Sequence, residues 1–70
     1  MDSITIGKNL KELRGNMTLK EVASATNLTV AAISNYENGI RIPQDDIKIR
    51  IANFYNVTVG SLFFGEKLNK

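Results

Sequence analysis

The stretch Thr18 to Gly39, TLKEVASATNLTVAAISNYENG, decides how this chain folds. Thr18 and Glu21 stand three apart ahead of the apolar pair Val22 and Ala23. In this T-x-x-E pattern a hydroxyl and a carboxylate satisfy each other's backbone N–H groups at a helix start. A helix is therefore predicted from Thr18. Asn27 follows its last turn, and asparagine is one of the few residues besides glycine that tolerate the left-handed backbone of a sharp helix exit. Thr29 is suited to cap a second helix, along which Ile33 and Tyr36 recur on one face, and Asn38-Gly39 supplies the pair expected past a helix end. The stretch reads as two short helices around a tight turn, with Leu28 placed to plug between them.

The flanks read as helices too. Ile6, Leu10 and Leu13 share one face of a helix expected from about Thr5 to Arg14, with Lys8, Lys11 and Glu12 turned outward and Gly15-Asn16 ending it. Gly39 to Gln44 is a loop in which Pro43 biases Ile42 to an extended conformation. From Gln44 to Tyr55 the local signals conflict, because Ile47, Ile49 and Ile51 alternate with Lys48 and Arg50 as in a half-buried strand. A helix is favoured: Asp45 and Asp46 complement its positive end, Ile47, Ile51 and Phe54 also fit i, i+4, i+7, and a lone strand would lack a partner. Asn56 ends that helix, Thr58 caps a short fifth one with Ser61 three residues on, Leu62 faces the core, and Gly65 closes it. The fold class is thus all-α, a compact five-helix bundle over residues 1–65 with a polar tail at 66–70. The expected core is Ile6, Leu10, Leu13, Val22, Ala23, Leu28, Ile33, Tyr36, Ile51, Ala52, Tyr55 and Leu62.

Composition narrows the function. Seventy residues are expected to form one domain with a modest core. Without Cys or His the chain lacks a disulfide framework, a thiolate nucleophile, the commonest metal ligand and the commonest general base. Asp45 and Asp46 are adjacent and do not face one another as an acid/base pair would, and there is no glycine-rich phosphate loop. An enzyme, a metal site and a cofactor are therefore not expected. No apolar run approaches the ~20 residues that span a bilayer, and Met1-Asp2-Ser3 leads directly into the first helix, so a cytoplasmic protein is expected. The net charge of +2 permits binding to nucleic acid without demanding it. Its distribution says more. Between Asn16 and Ile40 the only charges are Lys20, Glu21 and Glu37, while Lys8, Lys11, Arg14, Arg41, Lys48, Arg50, Lys67 and Lys70 surround that stretch.

Five pieces in order, IGKNLKELR (Ile6 to Arg14), the central stretch, ISNYENG (Ile33 to Gly39), Arg41-x-Pro43 and IANFYNVTVGSLF (Ile51 to Phe63), resemble the Cro and phage-repressor helix-turn-helix family, often called the Xre family. The resemblance covers nearly the whole chain. It implies a homodimeric, sequence-specific regulator of transcription, a repressor on a palindromic operator, with double-stranded DNA as partner and the third helix in the major groove. On that match the base-reading positions are Thr29, Val30, Ala31, Ala32, Ser34 and Asn35. A carboxamide such as Asn35's can pair bidentately with adenine, whereas Val30, Ala31 and Ala32 stand where relatives often carry Gln, Arg or Ser and would touch only thymine methyls. A·T-rich sites are the expectation.

Phosphate contacts are implied at the start of the second helix, from Thr18, Leu19 and Lys20, and past the end of the third, from Asn38 and Arg41. Relatives commonly place Gln where this chain has Leu19, so one side-chain contact is missing and Lys20 is the candidate to replace it. In relatives an Arg on the first helix pairs with the Glu of the ENG run, here Arg14 and Glu37. Phe54, Val57, Val59, Phe63 and Phe64 make an apolar excess near the C-terminus. Relatives dimerise through this region, which implicates Phe63 and Phe64 in a dimer interface. The alternative is a protein-interaction module that keeps this fold but binds a protein partner, as an antitoxin does, and the small apolar start of the third helix and its sparse charge suit that reading.

Overall fold

The computed structural model describes residues 2–63, which form α1 (Ser3–Arg14), α2 (Leu19–Thr26), α3 (Val30–Glu37), α4 (Asp45–Tyr55) and α5 (Val59–Phe63), with no strand among them. Each boundary has a local cause. α1 starts two residues earlier than the apolar spacing suggests, because the Asp2 carboxylate accepts the Thr5 N–H at 2.7 Å. That hydrogen bond also holds the Asp2 carboxyl below its ordinary pKa. At α2 both halves of the capping box form: Thr18 Oγ1 accepts the Glu21 N–H at 3.0 Å, and Glu21 Oε1 accepts the Thr18 N–H at 2.8 Å.

α2 and α4 leave by the same device. Asn27 (φ 59°, ψ 41°) and Asn56 (φ 61°, ψ 42°) are both left-handed. The next residue's N–H in each case reaches back five positions, Leu28 to the Ala23 carbonyl at 2.8 Å and Val57 to that of Ala52 at 3.0 Å. The strand-like alternation in α4 is overridden by packing. Ile51 is buried and Ile47 half-buried, while Ile49 is left exposed on the far side.

α3 lies between α1 and α2, α4 packs on α2 and α5, and α5 returns to α1. Ile6, Leu10, Tyr36, Ile51, Ala52, Leu62 and Phe63 form one buried cluster, and Val22, Ala23 and Ile33 a second. Leu28 and Tyr55 are half-buried and touch both. Where α1 crosses α3 the backbones nearly meet: a Cβ on Gly7 would lie 2.3 Å from the Glu37 carbonyl oxygen. Nothing larger than glycine fits there.

Two expectations need correction. Leu13 is 36% exposed rather than core, because it lies at the rim of an open groove between α1 and α5, beside Asn9, Glu12 and Val57. Phe63, expected at a surface that a second copy could cover, is 1% exposed. The last turn of α5 rolls it inward onto Ile6, Leu10 and Ile51, and the Lys48 ammonium sits over its ring, 5.7 Å from the centroid. Phe64, Gly65 and the tail at 66–70 lie outside the described residues, and with them the expected domain boundary.

Candidate nucleic-acid interface

α3 is held from behind and open in front. Ile33 and Tyr36 fix its inner side in the two core clusters. At its last turn the Glu37 carboxylate forms a two-pronged pair with Arg14 of α1, Oε2 to Nε at 2.7 Å and Oε1 to Nη2 at 3.0 Å. The Glu37 side chain is 5% exposed and that of Arg14 18%. Arg14 Nη1 also donates to the Met17 carbonyl at 2.7 Å, so one guanidinium ties α1, the α1–α2 turn and α3 together. Hydrogen bonding to Glu37 raises the Arg14 pKa further above its already high ordinary value.

On the open side, Ala31, Ser34, Asn35 and Asn38 follow one another at helical spacing and form a stripe. Thr29 is the N-cap, its Oγ1 accepting the Ala32 N–H at 3.0 Å, so of its hydroxyl the O–H remains available to donate. Val30 is 44% exposed and Ala31 is exposed too. Ala32 is turned half inward, against the larger cluster, and is the least accessible of the three small apolar residues. Ser34 and Asn38 are joined to each other, Asn38 Nδ2 donating to Ser34 Oγ at 3.2 Å.

Asn35 does two things with two different groups. Its main-chain carbonyl accepts the N–H of Ile40 at 3.0 Å and of Arg41 at 3.3 Å, which closes the turn after Gly39 (φ 75°) and fixes where Arg41 leaves the chain. Its half-buried carboxamide has no hydrogen bond to the described residues. The same is true of the exposed Lys20 and Arg41 side chains.

At the start of α2, the Thr18 N–H is taken by Glu21, the Glu21 N–H by Thr18 and the Val22 N–H by the Thr18 carbonyl. The N–H groups of Leu19 and Lys20 are left facing out of the helix end, where an anionic oxygen is favoured by the dipole. The Leu19 side chain packs against the smaller core cluster, so its part in such a contact is the main chain.

Some basic residues around the motif are engaged elsewhere. Lys48 pairs with Asp45 at 3.5 Å and covers Phe63, Arg14 is committed to Glu37, and Arg50 Nη1 donates to the Thr26 carbonyl at 3.3 Å. Charge counting along the chain could not separate these from Lys20 and Arg41. The structure also adds Gly7, whose only signal in sequence is a glycine inside an otherwise helical run. Among the described residues there is no group of three or more acidic, His or Cys side chains that could hold a metal ion, and no helix is long and apolar enough to cross a membrane.

Comparison with known proteins adds to this geometry. A family profile described as helix-turn-helix matches residues 10–62. The chain is 35% identical over 69 residues to the HTH-type transcriptional regulator ImmR of Bacillus subtilis (strain 168), covering 96% of this chain and 54% of that protein. It thus spans about half the length of that relative. Among solved structures, the crystal structure of the clp gene regulator ClgR from C. glutamicum superposes with a TM-score of 0.76 at 18% identity, covering 96% of this chain and 95% of that one. The two share a fold.

Proposed function

The chain belongs to the Xre/Cro-type helix-turn-helix family, and from that premise we propose that it is a DNA-binding regulator of transcription, a repressor that acts as a homodimer on a palindromic operator. α3 enters the major groove, with Val30 and Ala31 against thymine methyls and Asn35 on an adenine edge. Thr29, Ala32 and Ser34 complete the reading turn. Lys20, the Leu19 and Lys20 N–H groups and Thr18 seat one phosphate, and Asn38 and Arg41 grip the backbone beyond the other end of α3.

The observation that carries this reading is the Asn35 carboxamide. It sits on the outward stripe of the second helix of the motif, without a hydrogen-bond partner among the described residues, while its own carbonyl positions Arg41. One residue thereby sets the distance between a base contact and a phosphate contact. A second reading, docking of a protein on the start of α3, is favoured by the exposure of Val30 and Ala31 beside little charge.

Selection from a pool of random duplexes separates the two. Enrichment of a two-fold site with A·T-rich half-sites about one helical turn apart, bound ~10³-fold or more above random duplex at physiological salt, is expected. No enrichment, with weak binding that vanishes at physiological salt, would leave the protein-docking reading in its place.

A further inference from the structure

We propose that Arg50 is a positioning residue for α3: its guanidinium holds the C-terminal end of α2 and so sets the direction in which the recognition helix leaves the turn. This rests on the reading that α3 carries the base contacts.

α2 has eight residues and no basic residue in its last turn, so nothing on the helix itself complements its negative end. Three of its last four carbonyls are engaged, in layers. That of Ala23 accepts the Leu28 N–H at 2.8 Å and the hydroxyl of buried Thr26 at 3.3 Å, and that of Ser24 accepts the Asn27 N–H at 3.3 Å. These bonds are local to α2 and its turn. The Thr26 carbonyl is reached instead from α4, by Arg50 Nη1 at 3.3 Å, 24 residues along the chain. A cation is thereby placed at the end of the α2 dipole, from a helix that packs on α2.

The end of α4 is the internal control. It carries the same left-handed asparagine, with φ and ψ within a few degrees, the same bond reaching back five residues, and likewise no basic residue in its last turn. No guanidinium reaches that end among the described residues. The turn therefore forms from its own chemistry, and what Arg50 adds at α2 is a link between the turn and the scaffold helix α4. A turn free to rock on its backbone would let α3 swing and cost contacts that need sub-ångström register.

The test compares wild type with Arg50→Gln, a helix-compatible change at an exposed site, and with Arg50→Lys, which keeps the charge without the guanidinium fork. Affinity is measured for the selected duplex and a random duplex across a salt series. The ratio of the two is expected to fall about three- to tenfold in Arg50→Gln, with an unchanged salt slope and Arg50→Lys intermediate. An equal loss on both duplexes, with a slope shallower by about one, would make Arg50 a phosphate contact and overturn the proposal. So would an unchanged ratio.

Amide hydrogen exchange decides the point without DNA. Protection of Asn27 and Leu28 is expected to drop in Arg50→Gln while that of Asn56 and Val57 stays. If wild type selects no DNA sequence, the base-reading assignment falls. The exchange result then stands by itself, and unchanged protection at Asn27 and Leu28 sinks the role given to Arg50.

Discussion

The two ends of α3 are built on opposite terms. Its last turn is gripped from several directions: Tyr36 in the core, Glu37 paired twice with Arg14, the α1 backbone pressed against the Glu37 carbonyl at Gly7, and the Asn35 carbonyl closing the next turn. Its first turn has a threonine cap and then two exposed small apolar side chains. Anchoring a helix at one end lets the other project with its side chains free for a ligand. Substitutions should therefore separate by what they touch, with stability carried by the groups that grip the C-terminal turn and recognition by the side chains of the outward stripe.

Gly7→Ala attacks the gripped end where nothing can yield. The added methyl meets two main-chain carbonyls of α3, not a flexible side-chain tip, so α1 and α3 must move apart. A loss of about 3 kcal/mol is expected, large against the ~5 kcal/mol such a small domain commands, and urea unfolding would measure it. Glu37→Gln comes next. It leaves the mostly buried Arg14 charge without its counter-charge, and a loss of about 2 kcal/mol is expected by the same measurement. If either variant unfolds like wild type, the contrast between the ends is wrong.

How much of this could be read along the chain follows from the range of each interaction. The Thr18-Glu21 box, the left-handed Asn27 and the Thr29 cap each depend on residues within three or four positions, and the helix limits follow from them. Gly7 gains its meaning from a helix thirty residues away, and Arg50 from a carbonyl on α2, so neither could be singled out before the helices were placed. Phe63 and Leu13 failed for a related reason. Apolar spacing says that a short helix has an inner face, but which of several apolar residues turns inward depends on how α5 leans on α1 and α4. At the candidate site the candidate positions on α3 were legible, but only through the family resemblance, from their place in the matched motif. The half-burial of Ala32 and the double use of Asn35 were not.

Asn35→Ala probes the open side. Its carboxamide makes no bond within the described chain and its carbonyl is retained, so unfolding should change little. Binding to the selected duplex is expected to weaken by about 1–3 kcal/mol, with preference relaxed at one base pair of each half-site. Retained affinity and preference would remove Asn35 from the reading positions and turn attention to Val30 and Ala31 as a protein-docking surface.

The smallest effect sharpens the gripped end by pH. Tyr55 stands in the seam between the core clusters, lining the same small space as Leu10, Val22, Ile33 and Glu37. Burial first, and the nearby Glu37 charge second, push its phenol up to about 12 from the ordinary 10, with Arg14 opposing. The unfolded chain then gives up this proton about two pH units before the folded one. The stability it contributes is complete below pH 10 and drains away as pH rises toward 12. Tyr55→Phe keeps the ring in the seam and removes the proton. Wild type should lose more of its urea midpoint than Tyr55→Phe between pH 9 and pH 11, and at pH 9 the variant should be close to wild type. Parallel losses would mean that the phenol ionises as freely folded as unfolded. The seam beside Glu37 would then be open to water, and the grip on the end of α3 would rest on Gly7 and Tyr36 more than on a sheltered ion pair.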